Sequence, residues 1–537
     1  MSNVPAFFPT AANSVGNRSY ILSITPHASG SANHLILSHP SSDLSVIDAS
    51  TLQTLDSFRG GHVGDITSVA TSTSSAPAYQ INGGAAFGEQ GNGMSALGSV
   101  WSAGKDARVV RWDERLRTAG QTIKAAVRGP VPLLSLAIHE RENLVVAGTE
   151  LTSYESHILY WDIRNASTPL YTHSSTHSDD ITHLQFLPSS TTFLPPVPAT
   201  ATSSNPTPPL LLMSASTDGL VALTNPKESD EEEAFYGAEA LDGSVAKAGW
   251  YWSDIGTGKQ RRRGVKVWAR SDMDSVGTWT LGRGEEGDAQ LQIPVLHPTN
   301  TFKPLLLSTE PRYQGKKMSR RSRIIAVAQE KSAEEELLAR QAGIVACDYL
   351  LDVCPSLGVN QKTGEAMIAL GNNAGDVVLM HHEKIKLSKE AKSSIRNGND
   401  YNGTLTSHGI YEPSAFLYTP KDGGAGHRDV VRCMYHDPSS NVIYTGSEDG
   451  ILCGWQMPPA NSLTTGDSSR ESTEEADVSD GGSEDGRDEQ EDEDDGMNVD
   501  EEDDEELVFA GRTDGVENGK RRAAEVWGGG NGKRRRE

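Results

Sequence analysis

Residues 427–429 read His427-Arg428-Asp429, a triplet with the residue types of a phosphoryl-transfer loop, in which an aspartate takes the proton of a substrate hydroxyl. That chemistry needs an asparagine five residues after the aspartate to hold a metal, and the chain has Met434 there. It also needs a glycine-rich phosphate loop and a strand lysine upstream, and neither occurs in order. Elsewhere no nucleophile–base pair, metal-ligand spacing or phosphate loop stands out, so neither an enzyme nor a cofactor is expected. The four cysteines show no Cys-x-x-Cys spacing, which argues against zinc. Cys433 and Cys453 fall on predicted strands as small apolar residues, and unpaired thiols suit a reducing compartment.

The triplet is better explained by recurrence. A histidine stands four residues before a branched aliphatic residue three times: His62 and Ile66, His177 and Ile181, His427 and Val431. A turn aspartate stands six residues before a tryptophan twice: Asp106 and Trp112, Asp449 and Trp455. Short apolar runs separated by turn residues lie between these marks, as expected of strands covered on both faces. Weaker copies are His34–Ser38 with Asp43–Asp48, Asn143–Gly148 with Ile158–Asp162, Ala248–Trp252 with Val265–Trp268, and Met367–Gly371 with Gly375–Met380.

These units resemble the WD-repeat family of β-propellers, whose Gly-His and Trp-Asp signatures are Gly61-His62, Gly426-His427 and Trp112-Asp113. The resemblance implies an all-β fold: a single seven-bladed propeller over residues 19–457, each blade a four-stranded antiparallel sheet. It also implies a structural tetrad of loop histidine, strand serine, turn aspartate and tryptophan. His427, Ser447, Asp449 and Trp455 supply all four. Blade two keeps His62, Asp106 and Trp112, with Gly104 at the serine position, and blade four keeps His177, Ser216 and Asp218, with Thr224 for tryptophan. His427 and Asp449 are then mutual hydrogen-bond partners, because a buried polar group must be satisfied.

A propeller at the usual repeat length needs only about three hundred residues, and the chain has 537. The excess is read as insertions at 71–98, 188–209, 226–242, 285–342 and 384–424, an N-terminal segment 1–18 that could close the ring, and a tail 458–537. Residues 4–8 and Leu507–Ala510 are the apolar candidates for the closing strand. No apolar run approaches the ~20 residues of a membrane span, and residues 1–17 lack the pattern of a secretory signal. A soluble intracellular protein, monomeric or a subunit of a larger assembly, is expected.

The net charge of −25 is concentrated. Glu471–Glu506 holds 21 Asp or Glu and one Arg, a net of −20. Such a tract repels itself, buries no apolar area and is expected to be disordered. It suits either solubility or capture of basic proteins such as histones or ribosomal proteins. Lys520, Arg521 and Arg522, then Lys533, Arg534, Arg535 and Arg536, have the spacing of a bipartite nuclear localisation signal, which implies an import receptor and a nuclear location, with shuttling to the cytoplasm open. Residues 316–323, KKMSRRSR, and Arg261–Arg263 are basic, and 326–342 reads as a helix. An RNA backbone or the chain's own acidic tract would suit these clusters, but no aromatic residues interleave them as in a single-strand reader.

Two functions follow. One is a non-enzymatic nuclear scaffold, chaperone-like towards basic proteins. The other is a substrate receptor of a cullin-type ubiquitin ligase, because receptors of that class carry boxes ending in Trp-Asp-x-Arg. Here Trp112, Asp113 and Arg115 end one box, and Trp161, Asp162 and Arg164 end a second that is stretched by four residues.

Overall fold

The structure is a computed structural model. It describes residues 5–15, 19–29, 32–71, 99–187, 210–255, 262–283, 294–302, 347–360, 363–383, 404–405, 410–420 and 425–458. All of these fall in one compact unit, Met1–Ser468. The acidic tract, the basic clusters of the tail, the 316–323 segment, the 326–342 helix and Leu507–Ala510 lie outside the described residues.

Among the described residues the strands form seven sheets, antiparallel except for one edge pairing in blade six. Blade one is Ser23–Ser29, Ala32–Ser38, Leu44–Asp48 and Thr54–Phe58. Blade two is Ile66–Thr71, Val100–Gly104, Arg108–Asp113 and Thr118–Lys124. Blade three is Leu133–His139, Leu144–Thr149, Ile158–Asp162 and Tyr171–His173. Blade four is Ile181–Leu187, Leu211–Ser216, Leu220–Thr224 and Phe235–Ala240. Blade five is Val245–Ile255, Arg262–Ser271, Val276–Arg283 and Pro294–Phe302. Blade six is Tyr349–Val359, Ala366–Gly371, Val377–Glu383 and Ile410–Leu417. Blade seven takes Val431–Asp437, Val442–Ser447 and Ile451–Gln456 from one end of the chain and Ala11–Ser14 from the other.

Blade stacking explains the apolar runs. The second strands Leu144–Thr149, Leu211–Ser216 and Ala366–Gly371 are buried at every residue, because each sheet is covered on both faces by its neighbours. The seven hydrophobic clusters of the described residues sit one at each junction between adjacent blades. The cluster of Ile36, Val46 and Phe58 with Val110 and Trp112 joins blades one and two. The cluster of Ile21, Leu35 and Leu37 with Tyr444 and Leu452 joins blades seven and one, so the ring is closed. At the junction of blades five and six a buried ion pair replaces part of the apolar contact. Lys266 Nζ lies 2.8 Å from Glu365 Oε1, with the two side chains 4% and 1% exposed. Breaking one partner of such a pair is costly because the other charge is left buried alone.

The closing strand is Ala11–Ser14, paired with Ile451–Gln456. The expected segment, residues 4–8, does something else. Ala6–Phe7 pairs in parallel with Ile410–Leu417, on the outer edge of blade six. The N-terminus thus ties blades six and seven together before it enters the ring. The small, polar run AANS carries no hydropathy signal, which is why the apolar neighbour stood out in the sequence.

Three insertions need redrawing. Residues 226–242 are a short connection carrying the helix Glu231–Ala234, followed by the fourth strand of blade four. Within 285–342, Pro294–Phe302 is the fourth strand of blade five. Within 384–424, Ile410–Leu417 is the fourth strand of blade six. Phe235–Ala240 mixes exposed and half-buried residues, and Pro294–Phe302 and Ile410–Leu417 carry prolines, so these strands read as loops. In blade five, Ala248–Trp252 and Val265–Trp268 are the first and second strands rather than the second and third.

Candidate interaction surface

The recurring polar residues lie inside the blades. In blade two, His62 Nδ1 is 2.9 Å from Asp106 Oδ1 and its Nε2 is 2.8 Å from Ser102 Oγ, which also accepts the Trp112 indole N–H at 2.8 Å. In blade four, His177 lies 3.2 Å from Asp218 and 2.8 Å from Ser214 Oγ. In blade seven, Thr445 Oγ1 accepts the Trp455 indole N–H at 2.7 Å and lies 2.6 Å from His427 Nε2.

The bridging hydroxyl therefore stands two residues earlier than the sequence suggested. Ser447 and Ser216 instead hydrogen-bond at the turn, Ser447 to the Asp449 carboxylate and Ser216 to the Asp218 N–H. Gly104 stands where any side chain would collide: a Cβ there would fall 2.8 Å from His62 Nδ1. The register supplies the signal that was missed. Ser102, Ser214 and Thr445 pair across the sheet with Val110, Ala222 and Cys453, each two residues before the tryptophan or its substitute. His427 and Asp449 are 3.9 Å apart, beyond a hydrogen bond. Burial opposes ionisation of Asp449, but His427, Ser447 and the N–H groups of Arg428 and Ile451 outweigh it and hold the carboxyl at about 2. Blade three has Ala147 at the hydroxyl position, and the fully buried Trp161 indole N–H has no hydrogen-bond partner among the described residues.

The two Trp-Asp-x-Arg boxes end the third strands of blades two and three. Their tryptophans are buried, while Arg115 and Arg164 are exposed in the turns beyond. Asp113 accepts the N–H groups of Arg115 and Leu116, each at 2.9 Å. Asp162 is gripped by the Arg164 guanidinium, Nη2 to Oδ2 2.6 Å, and these hydrogen bonds pull it down to about 2. Gln121 of blade two donates to the Ile163 carbonyl at 3.2 Å, which ties the second turn to the blade of the first. Turns after third strands share a face with the connections from first to second strands. That face thus also carries the attachment points of 72–98 and 188–209.

The opposite face carries the histidine loops and exposed apolar residues: Val63, Met273 and, at 98% exposure, Tyr154. Tyr154 tops a tight turn closed by Thr152 and Glu155, with Ser153 at φ 57° and Tyr154 at φ 68°. Two consecutive left-handed side-chain-bearing residues are strained, and such strain gathers at functional sites.

One connection reaches out of its own blade. Glu231 of blade four accepts the N–H groups of Ser174, Ser175 and Thr176 and the Thr176 hydroxyl, all at 2.8 Å. The Tyr171 hydroxyl donates to the Pro226 carbonyl, and Lys227 pairs with Glu142 at 2.8 Å. This strap covers the outer end of blade three.

Among the described residues no group of His, Cys, Asp and Glu could hold a metal ion, and no helix is long and apolar enough to cross a membrane. Lys520–Arg522 and Lys533–Arg536 are outside the described residues.

The WD domain, G-beta repeat family matches residues 420–456, which contain blade seven's tetrad. The chain is a seven-bladed β-propeller whose last blade matches the WD repeat. It is similar to Uncharacterized WD repeat-containing protein YNL035C of Saccharomyces cerevisiae, 28% identical over 68% of this chain and 67% of that one. It is also 28% identical to Uncharacterized WD repeat-containing protein C63.06 of Schizosaccharomyces pombe, over 26% of this chain and 36% of that one. Among solved structures it aligns with the β-propeller domain of Cps50 (Swd1) from Myceliophteria thermophila, at 11% identity and a TM-score of 0.42, over 84% of this chain and 99% of that one.

Proposed function

We propose that the chain is a non-enzymatic nuclear scaffold that gathers basic proteins, histones or ribosomal proteins, on its acidic tail while the propeller serves as the folded platform. The carrying observation is the tract Glu471–Glu506, net −20 on a chain whose remainder carries only −5. The recurring histidines, hydroxyls and tryptophans of blades two, four and seven are occupied with one another, so the reading gives recognition of basic proteins to the tail. Many screened ion pairs give binding that depends on charge density and weakens with salt. Lys520–Arg522 and Lys533–Arg536 direct the complex to the nucleus through an import receptor. The runs HSDDITHLQF and GHRDVVRC resemble WD repeat-containing protein 89, a resemblance that implies a propeller and no particular activity. Direct nucleic-acid binding is the weaker partner reading. The test is recovery of basic nuclear proteins by the full chain and by a chain lacking 471–506, together with the location of a chain lacking 520–537. Loss of recovery without the tract, and cytoplasmic location without the basic clusters, are expected; unchanged recovery would refute the tail's role.

A second reading has its own observation. The exposed Arg115 and Arg164 stand in corresponding turns of adjacent blades on one face. That arrangement suits the adaptor of a cullin-type ubiquitin ligase. Co-purification with such an adaptor, lost in the double substitution Arg115→Ala and Arg164→Ala but kept without 471–506, would favour it over the scaffold.

A further inference from the structure

At the axis of the ring, innermost strands of blades one, four, five, six and seven enclose a cavity of about 210 Å³. Its wall carries one ion pair, Lys247 Nζ to Asp352 Oδ2 at 2.6 Å. The two partners are unequally placed: the Lys247 side chain is 40% exposed and that of Asp352 9%. Asp352 also accepts the N–H of Val353 at 2.9 Å. An ammonium has three N–H donors, and Asp352 is the only partner of Lys247 among the described residues. Two donors are thus left on the side of the pair that is open.

The rest of the wall can complete a ligand's shell. His183 and Gln185 come from blade four, Ser356 from blade six and His436 from blade seven. His436 is 6% exposed, and its Nε2 is already engaged, 3.2 Å from Asn441 Oδ1. Burial and then the positive field of Lys247, which outweighs the opposing field of Asp352, push the His183 imidazole down to about 4. The lining's formal charges, Lys247 and Asp352, cancel, but the ammonium is the more exposed of the two, and the neutral His183 imidazole can donate one hydrogen bond beside it.

We infer that this axial cavity binds a small oxyanion of carboxylate or phosphate type, held by Lys247 with Gln185 and His183 beside it. The anion meets an ammonium far more exposed than its own counter-ion, which lines the same cavity. Phosphate and a free carboxylate share this chemistry, and the two arms of the test distinguish them.

The test is thermal unfolding of the full chain and of a chain lacking 471–506. Inorganic phosphate, and separately acetate, replaces chloride at constant ionic strength. A saturable rise in Tm is expected. Lys247→Gln should weaken the apparent affinity at least tenfold. Gln185→Glu keeps the Lys247–Asp352 pair and the fold but places a carboxylate in the cavity, and it should weaken binding to the same extent. A saturable rise in either chain that is weakened in both variants supports the site. No saturable rise in either chain, or a rise unchanged in both variants, overturns the inference.

Discussion

Thr445→Val replaces a buried hydroxyl by a methyl of nearly the same size, so its cost reports hydrogen bonding rather than packing. The Thr445 hydroxyl serves two groups, the Trp455 indole N–H at 2.7 Å and His427 Nε2 at 2.6 Å. Both side chains are 0% exposed, so water cannot replace the lost partner. Each stranded buried group costs about 1–3 kcal/mol. The two share one partner and are not fully additive, which gives an expected loss of about 3 kcal/mol. Ser102→Ala strands the same two kinds of group, His62 and Trp112, and should cost about as much. Ser214→Ala strands only His177, because Thr224 stands in place of tryptophan, and should cost about half. Ser447→Ala, at the position the sequence suggested, loses only a turn contact and should cost less than about 1.5 kcal/mol. Urea unfolding of the four variants measures the ratios, which do not depend on the absolute scale. Equal losses at Ser214 and Thr445, or a larger loss at Ser447 than at Thr445, would refute the assignment of the bridging hydroxyl.

Trp112→Ala and Trp455→Ala should each cost about 3–5 kcal/mol from cavity formation, with wild-type urea midpoints contradicting a structural role. Deleting residues 1–14 removes the fourth strand of blade seven and the Ala6–Phe7 pairing; hydrogen exchange should quicken first in blades six and seven, and uniform protection would show that the ring closes without it. His183 binds a proton near pH 6.5 when unfolded and only near 4 when folded. The unfolded state therefore binds more protons in that window, and stability should fall by about 1–3 kcal/mol as pH drops through it; His183→Gln should flatten this slope in pH-dependent melts, and an unchanged slope would contradict it. Replacing Ser153-Tyr154 by Asn-Gly should stabilise the turn by about 1 kcal/mol, since both positions have positive φ; a loss of stability would mean that the exposed tyrosine is held by packing.

The number of blades and their order were legible because stacking forces the second and third strands to be apolar on both faces. His62, Asp106 and Trp112 repeat at fixed offsets for the same reason. What the sequence hid obeys other rules. The hydroxyl position depends on which side of the second strand faces the histidine, and a shift of two keeps the side chain on the same face. The edge strand Phe235–Ala240 is half exposed, and Ala11–Ser14 pairs with residues more than four hundred positions away. The axial pair of Lys247 and Asp352 joins the innermost strands of blades five and six across about a hundred residues of chain, a relation that only the stacking of the two blades creates. The candidate tail was legible as charge alone, because its pattern depends on composition rather than on contacts.

The most direct test of the scaffold account is the affinity of a purified core histone for the full chain, titrated from low to high salt, beside a chain lacking 471–506. The account predicts that log K falls steeply and linearly with log salt for the full chain. The shortened chain should show no measurable binding while its urea unfolding is unchanged. Binding that persists without the tract, or that is insensitive to salt, would contradict the claim that the acidic tail is the site of recognition.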